Sequence, residues 1–230
     1  MSEPRVPQLS VDIVSDVMCP WCIIGWLKFE TVMAHFAGRV GFRVQWHPFE
    51  LNPDMPPEGE DAASHVMRKY GISAEQSRAN SSKMAGIAAD LGFTFNRGPG
   101  FRMRNSFDAH RLLTWAGALE EAEQDGPTGV QTALKLALFG AHFTDNRDVS
   151  DAEVLADVAA SVGLDRARAA AILATGEFGE MVRTEQAYWA DQNITGVPAF
   201  ILGGRIMIPG AQDPEIFIRV IENKVLAATA

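Results

Sequence analysis

The sequence predicts an α/β fold in which a β-α-β unit and a β-β-α unit are separated along the chain by a long helical block. Three observations predict it. Near the N-terminus an alternating apolar run gives way to helical spacing and then to alternation again, the changes of period that mark strand, helix and strand. Between about residues 60 and 192 the capping and breaker signals punctuate helical stretches. After Pro198 two short apolar runs flank a glycine pair, as in a tight hairpin.

Each element follows from its own residues. Leu9, Val11 and Ile13 alternate with Ser10 and Asp12, and Val14 extends this first strand. Over residues 20–36 Ile23, Ile24, Leu27, Val32 and Phe36 are spaced for one helical face. A second strand occupies residues 40–49, where Phe42, Val44 and Trp46 alternate with Arg43, Gln45 and His47, and the breakers of residues 52–59 end it. The block that follows holds four to seven helices. Ser73 with Gln76, and Ser150 with Glu153, have capping-box spacing, Gly163 reads as a C-terminal cap, and residues 96–100 and 125–129 are the expected connections. Residues 199–202 and 205–208 form the hairpin around Gly203 and Gly204, and Asp213 as cap with Pro214 at the first helical position opens a last helix carrying Ile216, Phe217, Val220 and Ile221. There is no internal repeat and no low-complexity tract.

A chain of 230 residues has room for one large domain, or a core with an insertion. A net charge of -9 opposes non-specific binding to nucleic acid or anionic lipid. Neither a signal-peptide pattern at the N-terminus nor an apolar run of membrane-spanning length is present, so a cytoplasmic protein is expected. The two cysteines, Cys19 and Cys22, are too few for a disulfide scaffold and need a local explanation.

That explanation is chemical. Cys19 falls at the N-cap of the first helix with Pro20 behind it, where unpaired amides and the helix dipole favour a thiolate; its pKa is expected below the free value of about 8.5. Cys22, one turn further in, is expected to be more buried and to keep its proton. Cys19 then attacks and Cys22 resolves the mixed disulfide. The bland readings are two buried cysteines without function, or half of a zinc site. A structural zinc site is almost always four-coordinate, and His35, His47, His65, His110 and His142 lie scattered without paired spacing. Redox chemistry is the preferred reading.

Cys19-Pro20-Trp21-Cys22 after a first strand, a long helical insertion, and Gly196-Val-Pro-Ala-Phe200 before a Gly-Gly hairpin together resemble the DsbA-like branch of the thioredoxin superfamily, with its cytosolic FrnE-type oxidoreductases as the nearest group. Residues 105–112 and 203–211 share that resemblance. It implies a thioredoxin-like core over residues 1–52 and 193–230, an all-helical domain over residues 53–192 lying across the cysteines, and a cis Val197–Pro198 peptide beside Cys19 that offers backbone hydrogen bonds to a substrate. It also implies dithiol–disulfide exchange with protein or small-molecule thiols and disulfides, without organic cofactor or metal, with glutathione or another low-molecular-weight thiol as co-substrate, by a monomer or homodimer. Strongly oxidising relatives carry His where Trp21 stands. Trp21 supplies no charge, so a less oxidising couple suited to reductase or isomerase work is expected. Asp16 would raise the pKa of Cys19 by like charge, and Met18 or Trp26 by desolvation.

His110 has two readings, a substrate-binding residue of the cleft or a packed helix residue. Arg102, Arg104 and Arg111 form a local basic cluster that either meets a substrate carboxylate or is a solvated face; Trp26, Trp46, Trp115 and Trp189 read as core. The same fold serves glutathione-dependent kappa transferases and 2-hydroxychromene-2-carboxylate isomerases, which typically have serine in place of Cys19. A redox or zinc switch on a binding module is the non-enzymatic alternative.

Overall fold

The computed structural model describes residues 6–98, 100–122 and 129–226. Strand β1 (Gln8–Ser15), helix α1 (Pro20–His35) and strand β2 (Gly41–Pro48) form the expected β-α-β unit, β1 and β2 running parallel with Val11 opposite Val44 and Ile13 opposite Trp46. Strands β5 (Ala199–Leu202) and β6 (Ile206–Pro209) complete one four-stranded sheet in the order β2-β1-β5-β6, both pairings antiparallel. Helix α9 (Pro214–Val220) packs beside α1, and Phe217 joins Phe29 and Phe200 in a cluster of tilted and edge-on rings. The hairpin turn uses positive φ at both Gly203 and Gly204, so β6 starts one residue later than its apolar run.

The helical block contains α2 (Ala62–Tyr70), α3 (Ala74–Asp90), α4 (Phe107–Ala122), α5 (Val130–Phe139), α6 (Ala152–Ser161), α7 (Arg166–Thr175) and α8 (Gly179–Asp191), with a π-helical turn at Gly140–Thr144 after α5. Ser73 and Gln76 form the reciprocal capping box. Gly163, at φ +88°, follows the end of α6, and the Leu164 amide reaches back to the Ala159 carbonyl.

Four local expectations are corrected. The cap of α6 is Asp151, whose carboxylate accepts from the Val154 amide, while the Ser150 hydroxyl is turned to Asp148; a carboxylate one residue later outcompetes the hydroxyl. Asp213 precedes α9 but makes no cap bond, because Lys28 Nζ holds its carboxylate at 2.6 Å. The block is not wholly helical: β3 (Glu60–Asp61) pairs antiparallel with β4 (Arg102–Met103). Arg102 ties this ribbon by donating to the carbonyls of Glu58 and Gly59. At Gly59 a Cβ would sit 2.3 Å from the Met103 carbonyl oxygen, so only glycine permits that approach. Finally, β2 buries consecutive residues at its end, Trp46, His47 and Pro48, because helices cover both of its faces there. Residues 125–128 and Pro99 of the expected connections lie outside the described residues.

Two large apolar clusters fill the molecule. One lies on the sheet around Ile13, Ile23, Phe29 and Phe200 and recruits Phe101, Phe139 and Phe143 from the helical block. The other lies among α4, α5 and α6 around Leu112, Leu134, Leu138 and Leu155 and recruits Val17 and Met18 from the segment joining β1 to α1. That joining segment is therefore pinned between both. No helix among the described residues is long and apolar enough to cross a membrane.

Candidate active site

The segment pinned between the two cores carries the cysteines. Cys19 is the N-cap of α1, in extended conformation with φ -93° and ψ 112°, and its side chain caps no amide. Pro20 takes the first helical position, Trp21 is 39% exposed, and Cys22 is fully enclosed one turn in. Both thiols are free, at 4% and 1% exposure. The Val197–Pro198 peptide is cis, and Cys19 Sγ donates to the Val197 carbonyl at 3.6 Å. Pro198 in turn is seated by Gly25, where a Cβ would stand 3.0 Å from Pro198 Cγ, and its carbonyl accepts from the Gly210 amide at 2.7 Å.

Near the thiols lie two buried groups of opposite charge from different parts of the chain, Asp16 and Lys135. Asp16, wholly buried, accepts from the amides of Met18 and Leu51 at 3.0 and 2.7 Å. Burial raises its pKa, but the hydrogen bond and charge of His110 and those two amides hold it below the ordinary carboxylate value. Lys135, also wholly buried, reaches among the described residues only the Ser15 carbonyl at 3.5 Å and otherwise lies over the rings of Trp46 and Phe139. Burial pushes Lys135 down to about 8, against the opposing charges of Cys22, Asp16 and Cys19.

The expected order of acidity of the thiols is reversed in this arrangement. The hydrogen bond to Cys22, then burial, then the charges of Cys22 and Asp16 lift Cys19 well above its ordinary value. Burial also raises Cys22, but the Cys19 hydrogen bond and the Lys135 cation outweigh it and bring Cys22 below. The physical reason is that the hydrogen bond to Cys22, burial and the charges of Cys22 and Asp16 outweigh the one helix amide, that of Cys22, which lowers Cys19. The two thiols titrate as one coupled unit.

His110 does not line an open cleft. It is 1% exposed, and its Nε2 lies 3.0 Å from the Phe49 carbonyl and 3.6 Å from Asp16 Oδ1, so it supports Asp16 rather than facing a ligand. Nor do Arg102, Arg104 and Arg111 make an open basic cluster. Arg102 and Arg104 bond the Glu58 carbonyl, Arg104 also pairs with Asp148 at 2.8 Å, and Arg111, 3% exposed, holds Asp108 and the carbonyls of Ile172 and Glu177. Trp26, Trp46, Trp115 and Trp189 are all core. Among the described residues no three His, Cys, Asp or Glu side chains are grouped to hold a metal ion.

The family model of the DSBA-like thioredoxin domain matches residues 10–222. The chain belongs to that family. A probable DsbA oxidoreductase of Streptomyces coelicolor is 32% identical, with a TM-score of 0.81 over 93% of this chain and 88% of that one. The uncharacterized protein YwbO of Bacillus subtilis is 26% identical over 218 residues, 93% of this chain and 96% of its own length. A 2-hydroxychromene-2-carboxylate isomerase shares the fold, with a TM-score of 0.67 at 14% identity over 96% of this chain and 97% of that one. As a DSBA-like domain, the protein is a thioredoxin-type α/β fold with a helical insertion.

Sequence reasoning missed three residues of this DSBA-like site. Lys135 was signalled by being the single charge in the apolar run 133–139. Gly25 was signalled as a glycine inside a helix, which costs about 1 kcal/mol relative to Ala unless packing needs it. Arg97, which lies within the electrostatic reach of Cys19, was signalled by the aromatic residues around it, Phe95 and Phe101.

Proposed function

We propose that the protein is a cytoplasmic thiol–disulfide oxidoreductase of the FrnE type that acts by dithiol–disulfide exchange at Cys19 and Cys22. The observation that carries this reading is the placement of Cys19 Sγ on the Val197 carbonyl beside the cis Pro198, with the Cys22 thiol hydrogen-bonded behind it and Lys135 and Asp16 buried nearby. Cys19 is the outer thiol and the one reached past Trp21. With one of the pair's two protons lost to solvent, the remaining proton passes from Cys19 to Cys22 along their hydrogen bond as Cys19 attacks one sulfur of a disulfide; the other substrate sulfur leaves as thiolate and takes its proton from solvent, and a mixed disulfide forms. Cys22 then loses its proton with Lys135 at hand, attacks Cys19 Sγ and releases the second thiol. Two electrons and two protons move from the enzyme dithiol to the substrate disulfide, and the reverse sequence oxidises a substrate.

The Val197 carbonyl and Pro198 are the proposed docking edge for protein or small-molecule substrates, and Pro20 and Trp21 hold the pair in register. Glutathione or another low-molecular-weight thiol is the proposed co-substrate. Trp21 brings no charge to Cys19, which supports a couple nearer the reducing end and hence reductase or isomerase work. Equilibration in graded glutathione buffers, with alkylation and mass counting of free thiols, tests the proposal. The expected result is one reversible two-electron transition with a midpoint closer to about −270 mV than to about −120 mV. A protein that forms no Cys19–Cys22 disulfide overturns the reading. Glutathione-dependent turnover of a small molecule that survives Cys22→Ser replaces it with the transferase or isomerase one.

A further inference from the structure

Arg97 stands apart from every other arginine at the site. Its guanidinium carbon lies 4.7 Å from the Phe95 ring, 5.1 Å from Phe143 and 5.6 Å from Phe101, a cage of three aromatic faces. Among the described residues it makes no ion pair and no hydrogen bond, and its Nε is buried without a partner. A half-buried cation is stabilised by ring faces to a limited degree, and proteins ordinarily pair such a group with a carboxylate. Burial lowers its pKa to about 10 and the charge of Cys19 opposes that fall, which puts the cation within electrostatic reach of the reactive sulfur.

A second unpaired donor or acceptor shares the same rings. His142, 1% exposed and set in the π-helical turn, lies 4.8 Å from Phe101 and 4.6 Å from Phe143, and its Nε2 has no partner among the described residues. The cage is held rigidly. The Asn96 amide bonds the Phe143 carbonyl at 2.7 Å, and the Thr144 hydroxyl bonds the Thr94 carbonyl at 2.7 Å, tying the loop of Arg97 to the turn of His142. Phe101, Phe143 and Cys19 belong to one apolar cluster.

We infer that Arg97 in its phenylalanine cage is an anchor for the carboxylate of a low-molecular-weight thiol or disulfide whose sulfur meets Cys19. The inference rests on the exchange reading above. A carboxylate supplies the missing partner of the guanidinium through charge-assisted hydrogen bonds, and the preset loop reduces the ordering that binding requires. It also runs against the mean field: a protein of net charge -9 repels anions unless a local cation reverses the sign. In the step itself Cys19 displaces one carboxylate-bearing thiolate and Cys22 releases the second, as written above, and the carboxylate undergoes no change.

The test measures oxidation of the reduced, full-length protein by dithiodipropionate, which carries carboxylates, and by the neutral bis(2-hydroxyethyl) disulfide. Each rate is divided by that of free dithiothreitol with the same disulfide, which removes leaving-group differences. The native protein is expected to favour the anionic disulfide, and Arg97→Gln to reduce the anionic-to-neutral ratio by about tenfold. Because the ratio is the readout, a general change in Cys19 reactivity cancels. Raising the salt with the native protein must lower the same ratio, a measurement that does not depend on the variant folding. If the neutral disulfide reacts at Cys19 while the ratio is unmoved by Arg97→Gln and by salt, the anchor is overturned and exchange stands. If neither disulfide reacts at Cys19, the exchange reading falls and the anchor with it.

Discussion

Lys135 is a lysine without exposed surface, set against one thiol of a pair and one buried carboxylate. When Cys19 and Cys22 are joined, the charge it faced on Cys22 is gone and Asp16 is its remaining opposite charge. The cation therefore stabilises the dithiol more than the disulfide. Lys135→Met is expected to move the Cys19–Cys22 midpoint to more negative potential by about 30 mV or more, the shift of a tenfold change in a two-electron equilibrium, as read in glutathione buffers. His142 yields a second prediction at this scale. Burial, then the charge of Arg97, lowers its pKa to about 3, whereas the unfolded chain has a histidine near 6.5. Between those values the unfolded state binds the extra proton, so the stability from neutral, buried His142 is complete above about pH 6.5 and is lost as pH falls toward about 3. His47 has the opposite sign: burial lowers it, but the hydrogen bond to Asp12 and the Glu185 carboxylate beside it carry its pKa above the ordinary value, so its stabilisation is intact at low pH and lost as pH rises through the folded value. The stabilisation from ionised Asp16, whose pKa is depressed, is complete above about pH 4 and is lost only as pH falls below it, so it adds no slope at higher pH. Between pH 4.5 and 6.5 urea unfolding reads His142 together with Glu30, whose pKa burial raises above its ordinary value, so the difference between native protein and variant isolates His142, and His142→Phe is expected to change the acid slope there by removing the His142 part. An unchanged slope in that variant contradicts the burial account.

At the scale of elements, α1 does two jobs with one face. It buries Ile23, Phe29 and Val32 in the sheet's cluster and seats the Pro198 loop through Gly25. Gly25→Val is expected to force that loop away, destabilising the fold by about 1–3 kcal/mol in urea unfolding and slowing exchange at Cys19. A variant of unchanged stability and rate contradicts the close fit. The start of α1 was legible in the sequence because Cys19 and Pro20 are a cap and a first-turn residue, and the capping box at Ser73 was legible for the same local reason. The β3-β4 ribbon was not, since two residues on each side carry no period, and its pairing across residues 61–102 is decided by Gly59 and the Arg102 bonds. Ser150 misled because two capping side chains stood next to each other and local spacing does not rank them.

For the whole molecule, the two cores are interlocked. Phe101, Phe139 and Phe143 leave the helical block for the sheet's cluster, while Val17 and Met18 leave the sheet for the block's cluster. A block so exchanged is expected to unfold with the sheet in a single transition, with calorimetric and van't Hoff enthalpies equal. Two resolved transitions contradict it. By itself the sequence determined what depends on near neighbours: the order of strands and helices, the turns at glycine pairs, and the entry of the Cys-Pro-Trp-Cys segment into a helix. The tertiary structure alone decided the electrostatics of the site. Cys19 and Lys135, the latter 113 positions along the chain, lower the pKa of Cys22 against its burial, and Cys22, burial and the charge of Asp16 raise that of Cys19. The arginine half-buried without a hydrogen bond or ion pair among the described residues proved to be Arg97, whereas of the three whose spacing drew attention Arg104 and Arg111 hold carboxylates and Arg102 holds backbone carbonyls. Helix caps and turns are read over three or four residues, whereas a charge acts through space on whatever the fold brings near it, and burial amplifies that action by removing the water that would screen it.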